Sequence, residues 1–263
     1  MKTIIQSYLP GDHPWQNHIS WYDTIDSTNT RLKELTQQGA PHGTVLIANR
    51  QTGGRGRLGR SFHSPSGMGV YMSVLLRYSV PPEQLMHLTC AAAVAACQAV
   101  EAATGIRPGI KWTNDLVFEQ KKLAGILTEL VLLPSETAAV IGIGINCCQS
   151  IEDFTPAIQS FAGSLAMVTG APVDRAQVAA QLILSLSKMD KQLLSDKEAI
   201  MQSYQTRCIT VGQDVSLVRG DEIRHGHAIG INESGGLIVR FPDGHSEAIS
   251  SGEVSVRGMY GYI

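Results

Sequence analysis

The sequence has no apolar stretch approaching the length of a membrane span, about 18 or more residues with few charges. It also lacks the opening apolar run of a secretory signal, since "MKTIIQSYLPGDHPW" carries one lysine and soon reaches Pro10 and Gly11. Cysteine is scarce: five residues (Cys90, Cys97, Cys147, Cys148, Cys208), odd in number and without CxxC spacing. Neighbours such as Cys147 and Cys148 rarely bridge, so reduced thiols and a cytoplasmic setting are expected. Neither sign of charge dominates, with 21 Lys and Arg against 23 Asp and Glu. That balance argues against the broad basic surface of a general nucleic-acid binder. No internal repeat and no low-complexity tract is present. What remains is a chain of 263 residues, 43% hydrophobic, long enough for one large domain and a small second one.

Against this balance one stretch stands out. "QTGGRGRLGR", residues 51–60, holds four glycines and three arginines. Gly54, Gly56 and Gly59 match GxGxxG in form, but a dinucleotide fingerprint needs a following helix and an acidic residue about twenty positions on. Here "SFHSPSGMG" follows, and Pro65, Gly67 and Gly69 oppose a helix; no GK[ST] closes a P-loop either. Two readings stay open on these residues alone. The loop is a mobile solvated segment, or its backbone N–H groups wrap an anion while Arg55, Arg57 and Arg60 add forked donors for carboxylate or phosphate.

The surrounding pattern places this loop between strands. "GTVLIANR" (residues 43–50) and "GVYMSVLLR" (69–77) read as strands on either side of it. Pro81 and Pro82 are expected to open a long alanine-rich helix ended by Gly105, packed closely on a sheet. "GIKWTNDLVF", a turn at "EQKK", "LAGILTELVLL" and "AAVIGIGINC" read as consecutive strands. Asp174 with Gln177 resembles a capping box. The helix that it opens carries an apolar stripe of Val178, Leu182, Leu186, Met189 and Leu193, expected to be core. From about Thr210 short alternating segments separated by "ESGG" and "PDG" signal a small antiparallel barrel. The expected organisation is α+β, with a catalytic-sized domain over residues 1–208 and a β-domain over 209–263.

Four further islands carry candidate chemistry. "DSTN" (26–29) precedes a helical segment; "KWTND" (111–115) places a carboxylate at the end of a short strand. "KLAGIL" (122–127) offers Lys122 beside small residues, and "GIGIN" (142–146) is a glycine-lined strand ending in an amide. Each alone has an ordinary structural explanation: a solvated hairpin lysine, a turn-forming aspartate, or glycines for close strand packing. Their joint occurrence with the glycine-arginine loop favours a ligand.

The five islands, in this order and spacing, resemble the biotin–protein ligase family, also called biotin–[acetyl-CoA-carboxylase] ligase, from about Trp21 onward. The resemblance implies a mixed β-sheet flanked by helices, like that of class II aminoacyl-tRNA synthetases, with an SH3-like barrel appended. It implies that Ser27, Thr28, Asn29 and Gln51 serve the ureido ring of biotin, with Gly54, Arg55, Gly56 and Arg57 closing over it and Gly125 and Gly144 lining it. Lys122 would meet the biotin carboxylate and the α-phosphate. Arg57, Arg60, Phe62, Asn114, Asp115 and Asn146 would serve the nucleotide, with Lys122, Arg57 and Asp115 as the catalytic set. ATP and Mg²⁺ are implied, with no protein ligand of the metal assigned, and the acceptor is a lysine of a biotin carboxyl carrier protein. A homodimer through sheet edges is plausible on the same ground.

Two departures from the family pattern concern the site. Thr113 stands where proline is usual, and Phe62 stands where tryptophan often stacks on adenine. Only twenty-odd residues precede "DSTN", so a DNA-binding winged helix, and with it repressor function, is not expected. His225 and His227 share a strand face but have no third ligand nearby. Rival readings are a lipoate–protein ligase of the same fold and a noncatalytic anion-binding module, the latter leaving Lys122 and Asp115 unexplained.

Overall fold

The computed structural model describes residues 1–250 and 255–258, with Val256 the one described side chain of the last strand. Residues 251–254 and 259–263 of the expected β-domain lie outside them. After helix α1 (Lys2–Ser7) the chain lays down β1 (Ile19–Ile25), α2 (Thr28–Gln37), β2 (Thr44–Gln51) and β3 (Gly69–Tyr78). Helix α3 (Leu88–Thr104) follows, then β4 (Gly109–Lys111), β5 (Asp115–Phe118), β6 (Lys121–Leu132) and β7 (Thr137–Asn146). These strands form one seven-stranded sheet in the order β1-β2-β3-β7-β6-β5-β4. The sheet is mixed, because β1 runs parallel to β2 while the other neighbours are antiparallel.

The two faces of this sheet are covered unequally. On one face α1, α3 and α5 (Arg175–Gln192) enclose the large core, with α6 (Lys197–Arg207) against α3. Ala91, Ala92, Ala93, Ala95, Ala96 and Ala99 of α3 are all buried, and their small side chains let the helix lie close to α5 as well as to the sheet. On the other face α2 packs over β2, β3 and β7 through a small cluster of Leu32, Leu46, Leu75, Ala138 and Val140. The rest of that face is left to the cleft described below. Burial of these two apolar sets, at about 25 cal/mol per Å², is what selects this arrangement of strands.

Three expectations change. Pro81 and Pro82 do not open the long helix: residues Pro82–Leu85 form a single 3-10 turn, and α3 starts only at Leu88. Gly105 does end it, in the left-handed conformation that glycine adopts without penalty. One stretch does approach the length of a membrane span, against the reading above: Pro82–Thr104 would suffice by length and composition, yet most of it is buried in the core. Asp174 caps α5 by accepting from Ala176 and Gln177 N–H, whereas the return bond of a full capping box is not among the described hydrogen bonds. The stripe Val178, Leu182, Leu186, Met189 and Leu193 is buried, as its spacing predicts.

The short helix α4 (Leu165–Thr169) links β7 to α5. Beyond α6, strands β8 (Asp214–Arg219), β9 (Glu222–Ile231), β10 (Leu237–Arg240), β11 (Ser246–Ile249) and β12 (Ser255–Gly258) make a five-stranded antiparallel sheet, ordered β11-β10-β9-β8-β12. This sheet is bound to the "KWTND" turn. The Trp112 indole N–H donates to Gly235 O at 2.9 Å, and the Trp112 backbone N–H donates to Thr210 Oγ1 at 2.9 Å. The Tyr204 hydroxyl donates to Thr113 O at 3.0 Å, and the Trp112–Thr113 peptide is cis.

Candidate active site

A cleft of about 320 Å³ lies on the sheet face that α2 leaves open. Fifteen of the sixteen residues assigned above line it, Gly54 being the exception. Gly54 is instead a hinge point: its carbonyl accepts Phe62 N–H at 2.9 Å, and a Cβ there would meet Phe62 O at 2.4 Å. Only glycine lets the two limbs of the loop approach so closely. With Gly56 N–H donating to Arg60 O at 2.7 Å and an Arg55–Ser61 bridge, the glycine-arginine segment is a small hairpin. Leu58 and Gly59 turn its tip at positive φ.

One end of the cleft is neutral. Ser27 caps α2, accepting from Thr30 N–H, so the first turn presents Thr28 and Asn29 to the cleft. Gln51, the last residue of β2, accepts the Thr28 N–H through Oε1 at 2.8 Å and donates to Ser64 Oγ at 3.0 Å. Asn29 reaches inward between strands, with Nδ2 donating to Glu129 Oε2 at 2.9 Å and Leu127 O at 3.2 Å. Its Oδ1 lies 2.5 Å from Ser73 Oγ. A Cβ on Gly142 would lie 2.1 Å from that Oδ1, so Gly142 makes room for Asn29 rather than for a ligand.

The other end is charged. Lys122 Nζ lies 2.6 Å from Asp115 Oδ1, and Arg57 Nη1 donates to Asn114 Oδ1 at 3.0 Å. Burial lowers the Arg57 guanidinium from its ordinary value, with Asp115 nearby working in the opposite direction. Strict strand alternation from Gly125 would turn Lys122 to the opposite face. A bulge between β5 and β6, where Leu116 pairs with Ala124 but Val117 with Lys122, inserts one residue and returns Lys122 to the cleft. On its other edge, before the β6–β7 pairing begins at Ala124, Lys122 donates its N–H to Phe161 O at 2.6 Å. Asn146 is held by donation to Gly163 O and by acceptance from Gln149.

Phe62 rests beside residues assigned to biotin. Its ring lies against the floor of the cleft, where a Cβ on Gly144 would approach it to 2.4 Å and one on Gly125 to 3.3 Å. The hairpin bond to Gly54 turns the residue inward, and the two glycines leave a flat apolar surface on which an aromatic ring is partly sheltered from water. The residues assigned to biotin and the ring assigned to adenine thus share one surface here. Three contributors escaped the sequence reading. The wall made by Phe154, Ile158 and Phe161, buried Lys111, and Val256 of β12 all line the cleft. Lys111 lay inside a noted motif, whereas the wall and Val256 come from segments whose apolar residues have no marked spacing.

The comparisons with known proteins agree with this geometry. The Biotin/lipoate A/B protein ligase family matches residues 21–146, and the Biotin protein ligase C terminal domain matches residues 210–257. The bifunctional ligase/repressor BirA of Bacillus spizizenii is 35% identical over 89% of this chain and 73% of its own length. The biotin–[acetyl-CoA-carboxylase] ligase of Mycobacterium tuberculosis is 32% identical over 87% and 85%. Among solved structures, the biotin protein ligase of Aquifex aeolicus in complex with biotin and ATP superposes with a TM-score of 0.77, at 33% identity over 91% of this chain and 98% of that one. The cleft therefore sits in a chain that belongs to the biotin protein ligase family.

Proposed function

We propose that the chain activates biotin with ATP to biotinyl-5′-AMP and transfers the biotinyl group to a lysine of a biotin carboxyl carrier protein or domain. The observation that carries this reading is a single cleft with two unlike ends. Thr28 and Gln51 offer paired neutral donors and acceptors suited to a ureido ring, while Arg57, Lys122 and Asp115 supply the charge suited to a carboxylate and a phosphate brought together. In the first step a carboxylate oxygen of biotin bonds to the α-phosphorus as pyrophosphate leaves. Lys122 and Arg57 offset the charge that builds on the α-phosphoryl oxygens. In the second step the carrier lysine's amine bonds to the acyl carbon, the acyl–oxygen bond breaks, and AMP departs. Asp115 sits where it can hold Lys122 in place and take up the amine proton. No thiol takes part; Cys90, Cys97, Cys147 and Cys208 are buried, and burial pushes the Cys90 and Cys97 thiols up to about 12.

Magnesium fits the donors present in a limited way. Among the described residues no group of three or more His, Cys, Asp or Glu could hold an ion. The oxygens of Asp115, Asn114 and Asn146 suit a Mg²⁺ that is carried chiefly by the nucleotide phosphates and water, where it would spread their charge. The reading also includes a cytoplasmic setting, supported by five free cysteines. It includes a homodimer as well, for which β1 is an outer strand of the large sheet; the outer edge of β4 is taken by Ile209 N–H donating to Ile110 O at 2.9 Å. The test is mass spectrometry of a carrier domain incubated with the protein, biotin and MgATP. A mass increase of one biotinyl group on the acceptor lysine is expected. Pyrophosphate release with lipoate and none with biotin would overturn the assignment of the acid.

A further inference from the structure

A polar chain runs from the cleft to a carboxylate on its far side, and counting its protons fixes its direction. Glu129 Oε2 and Leu127 O can only accept, so the Asn29 amide must turn Nδ2 toward them and Oδ1 toward Ser73. Oδ1 can only accept, which commits the single hydroxyl proton of Ser73 to Asn29 across 2.5 Å. Ser73 Oγ also lies 2.7 Å from Thr28 Oγ1, and the proton between them must therefore come from Thr28. Gln51 Oε1, at 3.1 Å from Thr28 Oγ1, already accepts the Thr28 N–H and is the more distant partner. Thr28 is left with no proton to offer the cleft.

We infer that Glu129 is a positioning residue that, through Asn29 and Ser73, makes the Thr28 hydroxyl an obligate acceptor for an N–H of the ligand's ureido ring. This inference rests on the functional reading above. A hydroxyl free to rotate serves donors and acceptors alike; one whose proton is held elsewhere accepts N–H and rejects a carbonyl oxygen. The chain is protected from water: Thr28 and Asn29 are buried and Ser73 is fully so. Lys33 Nζ, 2.6 Å from Glu129 Oε1, holds the other carboxylate oxygen, so Oε2 stays turned toward Asn29. Gly142 keeps open the space that Asn29 needs. Specificity for a ligand that donates at this point is thus set by a carboxylate that does not itself line the cleft.

The test is a double-mutant cycle on Glu129→Gln and Ser73→Ala, read as the separate KM values for biotin and ATP in pyrophosphate release, with melting temperature alongside. An amide in place of the carboxylate must turn a donor toward either Lys33 or Asn29, so the direction of the chain is no longer enforced. Glu129→Gln is expected to raise the biotin KM about tenfold, the effect of one misdirected buried hydrogen bond, and to leave the ATP KM unchanged. Ser73→Ala, which cuts the chain, should do the same, and the double variant should be no worse than the worse single variant. A biotin KM unmoved by Glu129→Gln, or effects that multiply in the double variant, would overturn the inference while leaving the functional reading intact. Absence of biotin-dependent turnover in the unsubstituted chain would instead overturn that reading and the inference with it. If Glu129→Gln does not fold, Ser73→Ala alone decides: an unchanged biotin KM overturns the inference.

Discussion

The two ends of the cleft are built by different means. At the neutral end the groups facing the ligand are held by hydrogen bonds that reach back through α2, β3 and β6, and Ser27, Thr28, Asn29 and Ser73 are all buried. At the charged end Lys122 and Asp115 are half-buried, joined to each other, and carried on a bulge and a turn. A neutral ring is recognised by the direction of protons, which demands a rigid frame. Two anions are recognised by charge, which acts over longer distances and tolerates side chains that move. The neutral end should therefore govern which acid binds, and the charged end how fast it reacts.

The largest effect that would break this division is at the charged end. Lys122→Ala is expected to slow adenylate formation roughly a hundredfold or more, as loss of one charge-stabilising donor does elsewhere. The biotin KM should move far less. The fold should survive, because Lys122 lies at the cleft rather than in the core. Single-turnover adenylation with a melting curve checks both points. Near-normal adenylation by a folded variant would exclude the role given to Lys122.

Next in size is the neutral end. Thr28→Val keeps the shape and removes the hydroxyl, leaving Ser73 without the proton it accepts and the ligand without its acceptor. An unmet buried hydrogen bond costs about 1–3 kcal/mol, so the biotin KM should rise roughly 5- to 150-fold while the ATP KM holds. A variant that lost ATP affinity equally would show that the two ends are not separate.

Much of this contrast was legible in the sequence, and the part that was not has a physical reason. The charged end announces itself because Arg57, Lys122 and Asp115 sit in short motifs, and strand and glycine signals placed them correctly near one sheet. Lys122 reaches the cleft only through a bulge, which alternation alone would have missed. The neutral end was legible only at its tip, as "DSTN" and Gln51. Ser73 and Glu129 look like ordinary strand residues, and their meaning comes from cross-strand neighbours such as Gly142, which no local pattern reveals. Phe62 was read for its ring chemistry, whereas the turn at Gly54 decides where that ring rests.

The glycine-arginine hairpin lies between the two ends and should respond to both. Its tip residue Leu58 is exposed. Fixing each backbone residue costs about 1–2 kcal/mol, so full closure needs contacts from ligand. Closure would also keep water from the mixed anhydride until the carrier lysine arrives. Limited proteolysis at Arg55, Arg57 and Arg60 should slow several-fold when biotin and MgATP are added together. Biotin alone should protect less, because Phe62 must first leave the floor at Gly125 and Gly144. Equal cleavage with and without saturating ligands would mean that the loop is not a lid.

The smallest effect is expected where neither end reaches. Asp174, at the start of α5, accepts from the Tyr8 hydroxyl at 2.7 Å, from Ala176 N–H at 2.8 Å and from Gln177 N–H at 3.3 Å. The Tyr8 hydroxyl is the main reason that its carboxyl is held below the usual range; burial opposes it, and the two helix N–H groups add to it. Because the folded value lies below the unfolded one, the charged form stabilises the fold above the unfolded pKa, near 3.9. That contribution is lost as pH falls through the folded value. Asp174→Ala should lower stability by about 1 kcal/mol at neutral pH, as removal of a helix cap does. The loss should shrink in acid, where the native carboxyl is protonated too. Urea midpoints measured from pH 7 down to pH 3 follow this directly. Both KM values should stay at their original levels, since α5 covers the face of the sheet opposite the cleft. A change in either KM would show that packing on the far face tunes the site, and the division between the ends of the cleft would then have a third party.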